Sequence, residues 1–165
     1  MKISIRKTKL AEINELLEIY EIARGYMRAS GNPHQWDDGY PTREILIDDI
    51  EAGNSYVGVD EAGEIHFTFY LHFGQDPTYE YIDGAWLNDN AYGTIHRIAS
   101  NGKAKGIVKL ASDFGLSQCD NLRIDTAYEN TTMRHVLEKL DFKACGTIYL
   151  ANGDPRLAFH KIRTE

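Results

Sequence analysis

TIHRIASNGKAKGIVKLASDFGLSQ, residues 94–118, is the stretch whose reading decides the fold. Thr94 to Ala99 is rich in β-branched side chains and reads as a strand. Ser100 to Gly106 carries two glycines and two lysines and reads as a tight polar loop. From Ile107 the apolar residues change to helical spacing, with Ile107, Leu110, Ala111 and Phe114 at i, i+3, i+4 and i+7. A glycine-containing loop that enters a helix leaves backbone N–H groups without helical partners at the positive end of the helix dipole. That arrangement suits an anion.

Working outward, Ile3 and Ile5 mark a first strand, Thr8 is placed to cap a helix, and Leu10, Ile13, Leu17 and Tyr20 line that helix to about Gly31. Pro41 and Thr42 open a second helix that runs to about Ala52. Ser55 to Asp60 and Glu64 to Phe73 form an antiparallel pair around Glu61-Ala62-Gly63. In the second of these strands Ile65, Phe67, Phe69, Leu71 and Phe73 face one way. His66, Thr68, Tyr70 and His72 face the other, predicting one core face and one partly polar face. Residues 74–92 are a long connection rich in tyrosine and acids, and a connection of this length inside a compact domain points to a functional segment. Leu122, Ile124 and Thr126 make another strand, Asn130 caps a helix carrying Met133, Val136, Leu137 and Leu140, and 142–150 and 156–162 close the chain as two strands. The order β-α-α-β-β-β-α-β-α-β-β predicts an α/β fold, with a mixed, mostly antiparallel central sheet and helices on both faces.

A chain of 165 residues with 42% hydrophobic and 26% charged side chains fits a single globular domain spanning residues 1–165. Its net charge of −7 disfavours nucleic acid as the main partner and favours a cationic one. There is no 18-residue apolar run and no apolar signal-peptide core near Met1, so no membrane partner and a cytoplasmic location are expected. Cys119 and Cys145 lack metal-ligand spacing and read as reduced thiols, most simply as buried small hydrophobes. His66 and His72 lie six positions apart, roughly 20 Å along a strand, so one ion cannot bridge them and no metal site is predicted.

Nucleotide-binding motifs are excluded by spacing. Gly102-Lys103 is followed by Ala104 where a P-loop needs Ser or Thr, position 97 is Arg, and no GxGxxG is present. The element order and the 103–108 loop, KAKGIV, resemble the GCN5-related N-acetyltransferase family instead, whose Q/R-x-x-G-x-G/A signature wraps the pyrophosphate of acetyl-coenzyme A. IHRIA, residues 95–99, is similar to the family's fourth strand, and NTTMRHVLEKLDF, residues 130–142, to its second conserved block. The resemblance extends over nearly the whole chain and implies acetyl-CoA as co-substrate. It places Lys103, Ala104, Lys105, Gly106, Ile107 and Val108 at the pyrophosphate, backbone groups of Ile98 and Ala99 at the pantetheine arm and thioester carbonyl, and Asn130 at the pantetheine arm. For the two lysines a solvated turn is the plainer alternative.

The sequence departs from the family at four positions. Lys103 stands for Gln or Arg, β-branched Val108 for a small residue, Leu137 for the tyrosine that protonates the departing thiolate, and Asp141 for a glycine just past the helix. For catalysis, His96 is the candidate base on the central strand and Tyr149 a replacement acid, although His96 also reads as a hydrogen-bonded structural histidine. Two aromatic-acidic segments supply the acceptor-binding candidates Trp36, Asp37, Tyr81 and Trp86, because ring faces beside carboxylates suit a cationic amine. The two tryptophans read equally as covers over the core edge. The implied activity is direct attack of a primary amine, on a small molecule or a peptide N-terminus, upon acetyl-CoA in a ternary complex. The alternative is a non-catalytic coenzyme A-binding sensor or interaction module. A homodimer stays open as the assembly.

Overall fold

The computed structural model describes residues 1–32, 35–36 and 39–164. Their elements are β1 (Ser4–Lys7), α1 (Ile13–Ala29), α2 (Arg43–Glu51), β2 (Ser55–Val59), β3 (Ile65–Phe73), β4 (Asp83–Gly84), β5 (Gly93–Ser100), α3 (Ile107–Leu116), β6 (Asn121–Thr126), α4 (Thr131–Lys139), β7 (Lys143–Tyr149) and β8 (Pro155–Ile162). The strands form one eight-stranded, mostly antiparallel sheet in the order β1-β2-β3-β5-β6-β8-β7-β4. The chain divides into two compact units, residues 1–71 with 97–107, and residues 72–96 with 108–165.

In the first unit β1 pairs antiparallel with β2 from Ser4↔Val59 to Lys7↔Tyr56, and β2 pairs antiparallel with β3. The two helices press Leu16, Tyr20 and Leu46 against Val57, Ile65 and Ala99, forming one apolar cluster. Pro41 and Thr42 were expected to open this helix, and Thr42 caps α2 by accepting from the Ile45 amide at 3.2 Å. The turn between β2 and β3 closes through Asp60, whose Oδ1 accepts from Ala62 N at 2.9 Å and Glu64 N at 3.0 Å.

Two expectations for this unit are corrected. Thr8 caps nothing. A 3-10 turn, Leu10–Glu12, precedes α1, its start is closed by the Lys9 amide donating to Glu12 at 2.8 Å, and Thr8 bonds Ser55 Oγ at 2.7 Å. That turn shifts the helical phase, so Leu10 is 49% exposed while Ile13, Leu16 and Tyr20 carry the buried face. The face of β3 expected to be partly polar is so, and at its start it is buried as well. His66 and Thr68 are as buried as Ile65 and Phe67, each answered by a fixed partner: His66 Nε2 by Asp60 at 2.8 Å, and Thr68 Oγ1 by the Tyr56 carbonyl at 2.9 Å. Period-two alternation reports two faces, and a strand covered on both still alternates.

In the second unit β5 starts parallel to β6, from Gly93↔Leu122 to Ile95↔Ile124, and β6, β8 and β7 follow in antiparallel ladders. Within the long connection lies a two-residue strand that the sequence pattern did not signal. β4 adds to the β7 edge through Asp83↔Thr147 and Gly84↔Gly146. Glycine is needed on both sides of that contact, because a Cβ on Gly84 or Gly146 would stand 2.2 Å or 2.1 Å from a facing backbone oxygen. Asn130 caps α4 by accepting from Met133 N at 3.1 Å, and Asp141 just beyond that helix has φ 68°, the left-handed conformation its place predicted. On β6, Asn121, Arg123 and Asp125 point to the face that the 74–92 connection covers. Leu122 points the other way, against Gly115 of α3.

Candidate active site

The loop after β5 lies in the first unit and is built from its own side chains. Ser100 Oγ accepts from Gly102 N at 3.0 Å, and Asn101 Oδ1 accepts from Lys103 N at 2.9 Å. Gly102 and Gly106 take φ +83° and +68°, and a Cβ on Gly102 would meet the Tyr26 hydroxyl at 2.7 Å, so a side chain there is strained and crowded. The Asn101 amide donates to the His66 carbonyl at 3.1 Å, anchoring the loop on β3. Lys103 does not stand as a bare cation. Its Nζ is 2.8 Å from Glu64 Oε1, with both side chains exposed. α3 then begins at Ile107 with no acid in its first turn, which leaves the positive end of its dipole unneutralised by its own side chains.

Arg97, one residue before Ile98, has φ 52° in the middle of β5. A non-glycine residue persists in that conformation only when its surroundings hold it. Here the Tyr20 hydroxyl donates to the Arg97 carbonyl at 2.6 Å, Asp49 takes both Arg97 Nη2 and Nε, and the guanidinium lies 4.7 Å from the Tyr70 ring centre. Burial works against the Arg97 charge, but Asp49 and Tyr40 outweigh it and raise its pKa. Ile98 is half-buried, and Ala99 is packed into the core of the same unit.

His96, the last residue of β5 in the second unit, is gripped by carboxylates on two other elements. Its Nε2 is 2.8 Å from Asp76 Oδ2, and its Nδ1 is 3.6 Å from Asp125 Oδ1. Because a carboxylate only accepts, His96 Nε2 is the donor toward Asp76. Asp76 opens the 3-10 turn Pro77–Tyr79 by accepting from Thr78 N at 2.9 Å, and its own amide donates to the Tyr92 hydroxyl at 2.8 Å. Burial pushes the Asp76 carboxyl up, but the bond and charge of His96, with the Thr78 amide, hold it at about 2. Tyr79, fully buried, donates to Asp125 Oδ1 at 2.6 Å.

Deeper in the same layer Arg123 has no carboxylate within ion-pair distance among the described residues. Its guanidinium lies between the rings of Trp86 and Tyr92, 4.2 Å and 3.9 Å from their centres, and donates to the Asn88 carbonyl at 3.1 Å. Burial lowers its pKa. His160 beside it is fully buried, accepts at Nδ1 from Leu87 N at 3.2 Å and faces Asn121 Oδ1 at 2.9 Å through Nε2. That pattern fits only the neutral ring, and burial followed by the Arg123 charge brings the His160 pKa down to about 4.

The residues singled out in the sequence therefore separate. His96 stands between two carboxylates. Trp86 covers the chain's own Arg123, and Trp36 packs against the first unit's core, 5.5 Å from the Tyr20 ring. Tyr81 and Tyr149 come together with ring centres 6.3 Å apart, exposed by 66% and 45%. Asp37 lies outside the described residues. The side-chain oxygen of Asn130 is taken by the α4 cap, Val108 is half-buried in the first turn of α3, and Leu137 is 0% exposed. Asp76, Tyr79 and Asp125 were missed. The one signal for them was the alternation of Asp125 with apolar residues on β6, and nothing in the spacing links 76 or 79 to 96. One group of described residues has metal-ligand geometry, Asp60, Glu64 and His66, with ligand atoms within 4.8 Å of one another. Asp60 and Glu64 already accept from His66 and Lys103, so the group is accounted for as an ion-pair network.

No protein-family model matches the sequence, and no curated protein does. Solved structures do. An acetyltransferase of the GNAT family from Streptococcus agalactiae superposes with a TM-score of 0.87 at 32% identity, covering 99% of this chain and 96% of that one. A GNAT-family acetyltransferase from Listeria monocytogenes gives 0.70 at 16% identity, covering 98% and 95%. The phosphinothricin acetyltransferase of Sinorhizobium meliloti in complex with AcCoA gives 0.63 at 15% identity, covering 98% and 89%. These last two share the fold. No helix among the described residues is long and apolar enough to cross a membrane.

Proposed function

Because the chain belongs to the GNAT family of acetyltransferases, we propose that it is an acetyl-CoA-dependent N-acetyltransferase. In this reading residues 1–165 act as one domain, and a primary amine attacks the thioester directly in a ternary complex. The observation that carries it is His96 held on β5 between Asp76 and Asp125, one residue before the left-handed Arg97. His96 takes a proton from the ammonium of the acceptor, directly or through a water, and Asp76 orients the ring. Lys103, Lys105 and the amides of the Gly106–Val108 turn hold the pyrophosphate at the α3 N-terminus. The Ile98 and Ala99 backbone lies along the pantetheine arm and donates to the oxyanion that forms at the carbonyl. Asn130 sits beside that arm. The exposed pair Tyr81 and Tyr149, with Asp83 on β4, offers ring faces and negative charge to a small cationic amine or a peptide N-terminus, and Tyr149 serves as the acid for the leaving thiolate. The tryptophans need not enter the acceptor site.

Two measurements test this. Acetyl-CoA at one hundred times its dissociation constant stabilises a binder by about 2.7 kcal/mol, so a rise in melting temperature is expected, and no rise at millimolar acetyl-CoA overturns the reading. Thiol release across a panel of amines then reports turnover, and His96→Gln is expected to lower kcat by roughly 10² to 10⁴. Stabilisation without release from any amine would favour the sensor reading. That reading has its own support in Leu137, which is sealed in the core where relatives carry the acid.

A further inference from the structure

The ladder of β5 with β6 runs from Gly93 to Ile95, and two residues later Arg97 takes φ 52°. A strand residue in the left-handed region breaks the alternation of the pleat and re-aims the backbone that follows it. Such a conformation persists only where neighbours hold it, and elements of the first unit supply them. The Tyr20 hydroxyl on α1 donates to the Arg97 carbonyl at 2.6 Å, Asp49 on α2 accepts from Nη2 at 2.8 Å and from Nε at 3.1 Å, and the guanidinium lies 4.7 Å from the Tyr70 ring centre on β3. We propose that Tyr20 and Asp49 are positioning residues: they pin Arg97 in its left-handed conformation and so aim the Ile98 N–H at the thioester carbonyl. This rests on the reading that acetyl-CoA lies along Ile98 and Ala99.

The two residues grip different parts of Arg97. Its carbonyl and the Ile98 N–H belong to one planar trans peptide, so a hydrogen bond to the oxygen fixes the N–H pointing the opposite way. That bond comes from a buried tyrosine whose ring packs 5.5 Å from Trp36. Burial raises the Tyr20 pKa against the pull of the Arg97 charge, so the hydroxyl stays a neutral donor. Asp49 holds the other end. Its two oxygens take the guanidinium in a fork, which keeps the side chain from carrying the backbone back into the β region. Neither residue touches a reacting group, and both act through the 97–98 peptide.

Two double variants separate this role from simple neutralisation of the guanidinium, Asp49→Asn with Arg97→Gly and Asp49→Asn with Arg97→Ala. Both remove the ion pair, and they differ in whether residue 97 takes a positive φ freely. Without ligand the glycine form is expected to melt about 2–4 °C higher, the reverse of the order at an ordinary strand position. In calorimetry the alanine form should bind acetyl-CoA about fivefold more weakly than the glycine form, while coenzyme A, which lacks the carbonyl, binds both within about twofold. A glycine form that melts no higher overturns the proposal. So do equal acetyl-CoA affinities in the two forms, or a loss shared equally by coenzyme A, as a merely structural role predicts. If the alanine form does not fold, Tyr20→Phe decides: it should show the same split between the two ligands relative to the wild type, and an unchanged acetyl-CoA affinity overturns the proposal. A wild-type protein that binds neither ligand refutes the acetyl-CoA reading and the proposal with it, whereas wild-type binding without the split in the variants refutes the proposal alone.

Discussion

Two contacts of a nitrogen with a carboxylate, both 2.8 Å long, sit in different regions of this protein. Lys103–Glu64 lies on the loop after β5 with its side chains 61% and 51% exposed, and His96–Asp76 lies under the 74–92 connection at 22% and 11%. The distance alone would call them equal. Water makes them different: an exposed pair trades one solvated state for another, while a sheltered pair has lost its hydration and is held by fixed donors. The sheltered region therefore tunes protonation, pressing Asp76 down to about 2 and His160 down to about 4, whereas Lys103 and Glu64 stay in contact with solvent.

The comparison breaks most visibly at His160. Its folded pKa is depressed from the ordinary 6.5 to about 4. The stability that depends on the neutral ring is thus complete above about pH 6.5 and drains away as the pH falls toward 4. The loss should be about 3 kcal/mol in urea denaturation between pH 7 and pH 4. His160→Gln should remove most of that pH dependence, and an equally steep loss in the variant would place its origin elsewhere. Asp76 comes next. Its pKa is also depressed, from 3.8 to about 2, so its contribution is present above about pH 4 and lost as the pH falls through 2. At pH 7, Asp76→Asn should lower the unfolding free energy by about 2 kcal/mol. The same substitution removes the partner that orients the His96 ring, so activity should fall by more than stability explains.

Smaller effects sharpen the contrast where backbone or solvent dominates. Asp141 holds φ 68° on the exposed surface beyond α4, and Asp141→Gly should be neutral or stabilise by up to about 1 kcal/mol, read as melting temperature. A clear decrease would mean that the Asp141 side chain does more than fill the turn. The smallest expected change is at the exposed pair. Glu64→Gln should leave the denaturation midpoint where it is and lower the KM for acetyl-CoA about twofold by freeing Lys103. A measurable loss of stability would put this pair on the same footing as the buried one.

The sequence alone determined whatever depends on local spacing. Helical periodicity after Ile107 and the glycines around Lys103 placed the strand-loop-helix unit. Pro41 and Thr42 announced the start of α2, Asn130 announced its cap, and the position of Asp141 announced its left-handed turn. Together these carried the family resemblance, which the 32% identical relative supports. Where a short-range signal was ambiguous, the structure decided: a 3-10 turn moved Leu10 out of the core, and alternation on β3 could not reveal that both faces are covered at its start. His96 was legible as a titratable residue on the central strand, yet its neighbours were not. Asp76 lies 20 residues upstream, Asp125 on another strand, and Tyr79 in a turn whose direction no periodicity encodes. Likewise Trp86 looked like a cage for a foreign cation until folding filled it with Arg123. Backbone conformation follows from a few neighbouring residues, and so it is written locally. Protonation and charge pairing depend on which groups lose water together, and only the tertiary structure decides that.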